Sequence, residues 1–270
     1  MPFYLADYHV HTRFSFDSEE TIGAIRKMAA ARGLTEVCIT DHFSVNPEDK
    51  SYGLYPYQEA YDAYLRDSAG EGPAVRFGLE IGEGQYRRAV LEDFLAQADY
   101  DFIIGSVHNI GDITIRQTIR ERGVDYAFDA YYDEVLGLAE EGDYDVLGHL
   151  DLINRYAWDE QGIYRLDAYT GQIDAVLKAV IRRGRGIEVN TSSLYKNCRQ
   201  FMPHPWIVAR FRELGGQIVT LGSDAHSAGR VGDGLAEAAA LLKSCGFEAA
   251  AAFEKRRPRL WALEKFDSER

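Results

Sequence analysis

Histidines, aspartates and glutamates recur in short motifs that each follow an apolar stretch of the chain. The motifs are ADYHVH, VCITDH, RFGLE, FIIGSVH, YDVLGH and IVTLGSDAH, and six of the seven histidines fall within them. Imidazole nitrogens and carboxylate oxygens are common ligands of divalent transition metals. Together the motifs indicate a metal site assembled from distant parts of the chain.

The first motif illustrates why the spacing matters. Residues at i, i+2 and i+4 of a strand project from the same face, so His9 and His11 can bind one ion together. Asp7 lies on that face too, and we expect it to orient a ligand ring from behind. A pair of surface histidines at a strand end would have the same spacing, so this motif alone does not decide.

The other motifs supply single candidates that also have structural explanations. Asp41 can be explained as a turn residue and His42 as a core histidine. Glu80 lies between apolar residues and can be explained as part of a buried salt bridge. His108 and His149 fit hydrogen-bonded core histidines, whereas Asp224 and His226 repeat the i, i+2 spacing. Their combination favours two or three divalent ions, since two ions roughly 3.5–4 Å apart can share a bridging hydroxide that attacks phosphate esters.

These candidates require elements that bring them to one place. The predicted strands are Tyr4–His9, Glu36–Thr40, Ala74–Ile81, Asp101–Val107, Tyr144–His149, Gly186–Asn190 and Gln217–Leu221. The predicted helices are Thr21–Arg32, Tyr57–Leu65, Arg87–Ala98, Ala127–Glu141, Ala168–Arg183, Pro205–Leu214 and Leu235–Cys245, with Gly33, Gly142, Gly184 and Gly215 expected to end four of them in a left-handed conformation. This alternation predicts a parallel α/β sheet, and because six strand ends carry candidate ligands, we favour a barrel over an open sheet.

Composition excludes several classes of protein. The net charge of −13 argues against binding long nucleic acid, and no apolar run is long enough for a membrane span. The start of the chain lacks a signal-peptide pattern, and the three cysteines are scattered and odd in number. We therefore expect a single domain over residues 1–270 in a reducing cytoplasm, with unpaired cysteines and an oligomeric state that the sequence does not indicate.

In this order, DYHVHT, TDH, GLE, GSVH, GHLD and GSDAH resemble the polymerase and histidinol phosphatase (PHP) superfamily over about the first 230 residues. GHLDLINRY and EVNTSSLYK are similar to its histidinol-phosphatase branch. The resemblance implies a distorted (β/α)7 barrel of the TIM-like type with a trinuclear metal centre of Zn, Mn or Fe.

The resemblance also implies a role for each matching residue. One ion would bind His9, His11, Glu80 and Asp224, and a second would bind Glu80, His108 and His149. A third would bind Asp17, His42 and His226, although many relatives have a histidine at the position of Asp17. Glu80, Asp224 and His226 would be catalytic, Asp7 and Asp41 would support the ligands, and Arg155 and Lys196 would bind the substrate phosphate.

The implied activity is hydrolysis of L-histidinol phosphate in histidine biosynthesis, through a metal-bridging hydroxide. The sequence leaves open two alternatives, a phosphoesterase acting on a nucleotide or a phosphoprotein and a non-catalytic binding module. The segment after His108 differs from the common pattern of histidinol phosphatases, which bears on the substrate but not on the metal ligands.

Overall fold

The central element is a seven-stranded parallel sheet that curls into a nearly closed barrel. A computed structural model describes residues 5–263 of the chain. The strands, numbered in chain order, are β1 (Ala6–Val10), β2 (Glu36–Ser44), β3 (Ala74–Gly82), β4 (Phe102–Ser106), β5 (Asn109–Ile110), β6 (Ile113–Thr114), β7 (Val146–Leu147), β8 (Gly186–Asn190), β9 (Val219–Gly222), β10 (Ala249–Glu254) and β11 (Arg257–Ala262). The order in the barrel is β1-β2-β3-β4-β7-β8-β9, which confirms the expected (β/α)7 architecture.

The barrel closes between its first and last strands without a regular ladder. Val10 forms a parallel bridge with Ala225, and the His11 N–H donates to the Ala225 carbonyl at 2.9 Å. The Asp7 carboxylate accepts a hydrogen bond from the Ser223 N–H at 2.9 Å across the same seam. Closure therefore brings the ends of β1 and β9, with their candidate ligands, next to each other.

Helices pack around the barrel through apolar faces such as Ile22, Ile25 and Ala29 of the first helix. Their bounds are α1 (Ile22–Ala31), α2 (Tyr57–Asp67), α3 (Arg88–Leu95), α4 (Ile115–Arg122), α5 (Val124–Glu141), α6 (Leu152–Gln161), α7 (Thr170–Arg182), α8 (Pro205–Glu213) and α9 (Leu235–Ser244). The seven predicted helices are present, and α4 and α6 were not predicted. Tyr4, the first residue of the first predicted strand, lies outside the described residues.

The glycines that follow helices behave as expected with one exception. Gly33, Gly184 and Gly215 have φ of 71°, 65° and 97°, the left-handed conformation of a helix end. For Gly142 that prediction is wrong, because its φ is −64° and its ψ is 152°. A side chain there would overlap Leu138, so close approach of the backbone, not the backbone angle, favours glycine at this position.

An antiparallel hairpin, β10–β11, covers the amino-terminal end of the barrel. Ala251, Ala252 and Phe253 pack there against inward-facing barrel residues including Tyr8 and Phe102. The sequence did not predict this hairpin, because a run of alanines favours helix. No helix among residues 5–263 combines the length and apolar character needed to cross a membrane, and the three cysteines are free, as expected.

Candidate metal centre

Glu80, near the carboxyl end of β3, is the centre of the candidate site. Its Oε2 atom lies 3.2 Å from His9 Nε2 and 2.9 Å from His42 Nδ1. Its Oε1 atom lies 2.8 Å from His149 Nε2 and 3.2 Å from His108 Nε2. Glu80 is only 1% exposed, so one buried carboxylate contacts imidazoles from four other strand ends. Glu80 would therefore be placed to hold metal ions through both of its carboxylate oxygens.

Asp224, directly after β9, faces the same histidines from the barrel seam. Its Oδ1 atom lies 3.4 Å from His11 Nε2 and 3.7 Å from His9 Nε2. The backbone φ is 53° at Asp224 and 24° at His149, a region that non-glycine residues rarely adopt. Strain of this kind is concentrated at functional sites, where the surrounding structure enforces it.

Asp17 comes from the loop after β1 and completes a second, more open group. Its Oδ2 atom lies 3.6 Å from His42 Nε2 and 3.2 Å from His226 Nε2. The side chain is 34% exposed, compared with 1% for Glu80. The nine residues named from the resemblance therefore meet at one end of the barrel, with Asp17 and His226 at the solvent side.

The buried polar atoms fit divalent metal ions. Among the described residues, His9 Nε2, His11 Nε2 and Glu80 Oε2 are buried without a hydrogen-bond partner, although the two ring nitrogens lie 3.2 and 3.5 Å from the carboxylate oxygen. Orphaned buried atoms of this kind are rare and call for an explanation such as an ion. Within the nine candidate ligands, four groups of atoms are close enough to hold an ion: His9 with Glu80 and His149; His9 with His11 and Asp224; His42 with Glu80 and His108; and His11 with Asp17, His42 and His226.

The electrostatics of the cluster favour ionised carboxylates. Burial opposes charge on Glu80, but the neighbouring His9, His42 and His108 hold the pKa of its carboxyl well below the usual range. Burial and the nearby imidazoles of His226 and His42 lower the pKa of His11, which favours the neutral ring that binds metals. A mixed nitrogen and oxygen set of this kind suits divalent metal ions.

Glu188 on β8 supports the centre and was not predicted. Its Oε1 atom lies 2.6 Å from His9 Nδ1, and its Oε2 atom accepts the His149 N–H at 2.9 Å. A Cβ at Gly222 would overlap both Glu188 and His9, so only glycine leaves room for this pair. The sequence signal was a carboxylate between Ile187 and Val189 in an apolar strand, the same signal that identified Glu80.

The residues expected to support the ligands act differently from one another. Asp41 accepts hydrogen bonds from Thr12 and, at 2.9 Å, from Ser15 Oγ, and that hydroxyl lies 3.0 Å from His11 Nδ1. Asp41 therefore supports His11 through Ser15. The expectation for Asp7 is corrected: its oxygens accept the Ser223 hydroxyl and the backbone N–H groups of Ser223, Gly232 and, at 3.4 Å, His9. Asp7 therefore fixes the barrel seam and the backbone of His9, not a ligand ring.

Glu83 lies just beyond β3 and is fully buried. Its Oε1 atom accepts the N–H groups of His108 and Asn109 at 2.7 and 2.9 Å. The carboxylate thus fixes the backbone that carries His108. His204 caps α8, because its ring nitrogen accepts the Trp206 N–H.

A cavity of about 300 Å³ opens onto the cluster from the solvent. Arg155 of α6 lines it, with its guanidinium 4.9 Å from the ring centre of Tyr156. Lys196 is exposed and does not line this cavity, whereas Lys50 and Arg116 do. The sequence did not single out Lys50 or Arg116, because neither directly follows a barrel strand.

Comparison with known proteins agrees with this geometry. The PHP domain family matches residues 7–192. A probable histidinol-phosphatase of Clostridium acetobutylicum is 29% identical over 93% of this chain and 97% of its own length. The histidinol-phosphatase of Lactococcus lactis is 30% identical over 92% of this chain and 93% of its own length.

A solved structure extends the comparison to three dimensions. The crystal structure of histidinol phosphate phosphatase from Lactococcus lactis, complexed with Zn, L-histidinol and phosphate, superimposes with a TM-score of 0.82. The two sequences are 27% identical, and the superposition includes 94% of this chain and 98% of the Lactococcus lactis chain. The order of the motifs, the barrel and the family match lead to one conclusion: this chain belongs to the PHP domain family.

Proposed function

We propose that this protein is a metal-dependent phosphomonoesterase that hydrolyses L-histidinol phosphate to L-histidinol and phosphate. The observation that carries the proposal is the convergence of His9, His11, His108 and His149 on the buried Glu80, beneath a cavity lined by Arg155. The similarity to the Lactococcus lactis enzyme, whose structure holds L-histidinol and phosphate, supports the choice of substrate.

The nine candidate ligands would hold two to three divalent ions, with Zn, Mn and Fe as the candidates. Bound there, such ions lower the pKa of water and polarise a phosphoryl oxygen. Glu80 would fix the spacing of the ligands, and Asp224 and His226 would complete the reacting end of the site. Arg155 would bind a phosphoryl oxygen through its guanidinium, and the buried walls would exclude bulk water.

This proposal places the reaction in histidine biosynthesis in the cytoplasm and treats residues 1–270 as one catalytic domain. The purified protein is analysed for metals after growth with Zn, Mn or Fe, and phosphate release is measured from L-histidinol phosphate, p-nitrophenyl phosphate, AMP and a phosphopeptide. We expect at least two ions per chain and the highest kcat/KM for L-histidinol phosphate.

Each other result has a definite meaning. Faster hydrolysis of AMP or the phosphopeptide would reassign the substrate while keeping the metal-dependent hydrolase. A full metal complement without phosphate release from any ester would indicate a binding module. Less than one ion per chain after supplementation would overturn the proposed metal centre.

A further inference from the structure

We propose that Asp49 binds the ammonium group of an amino-alcohol phosphate and thereby selects amine-bearing substrates. This inference rests on the proposed function and adds the residue that recognises the part of the substrate away from its phosphate. Asp49 lies in the loop between β2 and α2, which the sequence analysis did not connect with the site.

The first argument is the inventory of charges around the cavity. Among the described residues that line it, the carboxylates are Asp17, Asp49, Glu80 and Asp224. Three of these belong to the candidate metal centre, which leaves Asp49 as the carboxylate available to a substrate cation. The lining cations Lys50, Arg116 and Arg155 suit the phosphate end and would repel an ammonium group.

The second argument is the hydrogen bonding of Asp49 itself. Its Oδ1 atom accepts both the N–H and the hydroxyl of Ser51, at 2.8 and 2.5 Å. Its Oδ2 atom accepts one hydrogen bond, from Asn109 Nδ2 at 2.6 Å. A carboxylate offers about four acceptor positions, so Oδ2 retains capacity for one more donor. The side chain is partly exposed and lines the cavity, where an ammonium group can reach it.

The third argument is position relative to the metal ligands. A carboxylate oxygen of Asp49 lies within 4.8 Å of a ring nitrogen of His108, and His108 Nε2 lies 3.2 Å from Glu80. Asp49 therefore lies beside the place where a phosphate would meet the metal centre. In histidinol phosphate only a short chain of single bonds separates phosphorus from the amine nitrogen, so both groups can be bound at neighbouring positions.

The competing role for this carboxylate is to hold a further metal ion together with Glu83 and His108. One possible ligand atom from each of these residues lies within 4.8 Å of the other two. Glu83 argues against it, because its Oε1 atom already accepts two backbone N–H groups and its Oε2 atom accepts Asn109 Nδ2 at 3.2 Å. An ion there would have to displace these donors. An ammonium group needs only the free position on Asp49.

The test compares two esters that differ only in the amine: L-histidinol phosphate and 3-(imidazol-4-yl)propyl phosphate. The ratio of their kcat/KM values is measured for the wild-type protein, for Asp49→Asn and for the matched control Glu48→Gln. Glu48 lies in the same loop but is exposed and does not line the cavity. Binding of L-histidinol by calorimetry and metal content are measured in parallel.

We expect Asp49→Asn to lower the amine preference roughly ten- to a hundredfold, the range for one charge-assisted hydrogen bond, and to weaken L-histidinol binding to a similar extent. Glu48→Gln should keep the wild-type ratio. Asp49→Glu, which retains the charge, should recover part of the preference. If Asp49→Asn does not fold, Asp49→Ser, which keeps a hydroxyl acceptor in the loop, undergoes the same comparison.

Failure of this inference differs from failure of the proposed function. An unchanged ratio in Asp49→Asn, or an equal loss for both esters, would overturn the role of Asp49 while leaving a working phosphatase. Loss of one metal ion in Asp49→Asn would also overturn it, in favour of the competing metal site. If the wild-type protein hydrolyses neither ester, the proposed function itself fails.

Discussion

At the scale of single residues, the site depends on one carboxylate with many partners. Glu80 contacts four imidazoles within 3.2 Å and also accepts a hydrogen bond from Ser106 Oγ at 2.7 Å. A buried, ionised carboxylate without compensating positive charge would be strongly unfavourable. The same burial makes the interaction with a cation strong, because little water screens it.

Replacing Glu80 with Gln keeps its size and removes its charge. We expect kcat for phosphate release to fall about a hundredfold or more, the loss typical of removing one electrostatic contact at a reacting centre. Metal content should fall in the same variant. Steady-state kinetics with elemental analysis is the measurement, and near-normal turnover with a full metal complement would contradict the role of Glu80.

Of Arg155 and Lys196, the two cations that the sequence analysis assigned to the substrate phosphate, Arg155 is the one that lines the cavity. Replacing it with Ala should lower kcat/KM for L-histidinol phosphate about 10–100-fold, corresponding to roughly 1.5–3 kcal/mol for a charge-assisted hydrogen bond. Arg199→Ala is the matched control, because Arg199 is exposed and does not line the cavity. Equal effects of the two substitutions would indicate a general charge effect and would remove Arg155 from the site.

At the scale of elements, the barrel strands present ligands at their ends and also hold those ligands in place. Strand β8 contributes no proposed metal ligand, but its Glu188 contacts the ring of His9 on β1 and the backbone of His149 after β7. Partners of this kind fix the ring orientation and the tautomer of a metal-binding histidine.

Glu188→Gln should therefore weaken metal binding by about 10–100-fold, the usual effect of losing such a partner. The expected signature is a weaker affinity for the ions while the protein still folds. Competition with a metal chelator measures the affinity, and circular dichroism checks the fold. Unchanged affinity would show that Glu188 only fills space between β1 and β7.

His204 caps the amino end of helix α8, and this cap makes the stability of the protein depend on pH. Burial lowers the pKa of His204 below its usual value of 6.5, and the neutral ring accepts the Trp206 N–H. As pH falls below 6.5, the unfolded chain binds a proton that the folded state binds less readily. The stability contributed by the neutral cap is present above pH 6.5 and is lost as pH falls through the lowered pKa.

His204→Asn keeps a cap acceptor without titrating. Between about pH 8 and about pH 5.5, we expect the free energy of unfolding of the wild type to fall by about 1 kcal/mol or less relative to that of this variant. Urea denaturation at the two pH values measures the difference. His204→Ala, which removes the acceptor, should be less stable than His204→Asn at both pH values. A constant difference between wild type and His204→Asn across this range would contradict the titration of His204.

At the scale of the whole molecule, the two ends of the barrel serve different purposes. The carboxyl ends of the strands carry the candidate metal centre, and the hairpin β10–β11 covers the amino ends. Arg256, in the turn of the hairpin, pairs with Asp143 at 2.7 Å and with the buried Asp145 at 3.0 Å just before β7. Its backbone N–H also donates to the Asp101 carbonyl at 2.9 Å.

Arg256→Ala should lower the free energy of unfolding by about 1–3 kcal/mol, because it removes a cation from a buried carboxylate that retains Arg185 at 3.2 Å. Arg257→Ala, at an exposed neighbouring position, is the control and should have little effect. Chemical denaturation measures both. Equal stability of the two variants would mean that the Arg256 side chain does not help to attach the hairpin.

The sequence by itself determined the parallel barrel and the set of residues that converge at its carboxyl ends. The physical reason is that parallel strands in a barrel all end on one face. Candidate ligands such as His9, Glu80 and His149, each ambiguous in its own motif, are therefore expected to meet there once the motifs are considered together. Boundaries were less precise: β7 spans only Val146–Leu147, within a predicted strand of six residues.

Only the tertiary structure decided which supporting residues meet the ligands. Glu188, Asp49 and Arg116 reach the site through packing between elements far apart in the chain, whereas Lys196 follows a strand and still lies outside the cavity lining.

The sequence did not predict the hairpin β10–β11 for a related reason. Its turn residues Lys255 and Arg256 have positive φ without the usual glycine or asparagine, and its alanines form a strand because they fit against the barrel. Contacts between distant segments therefore determined the hairpin and the residues that support the site, because local sequence patterns do not encode such contacts.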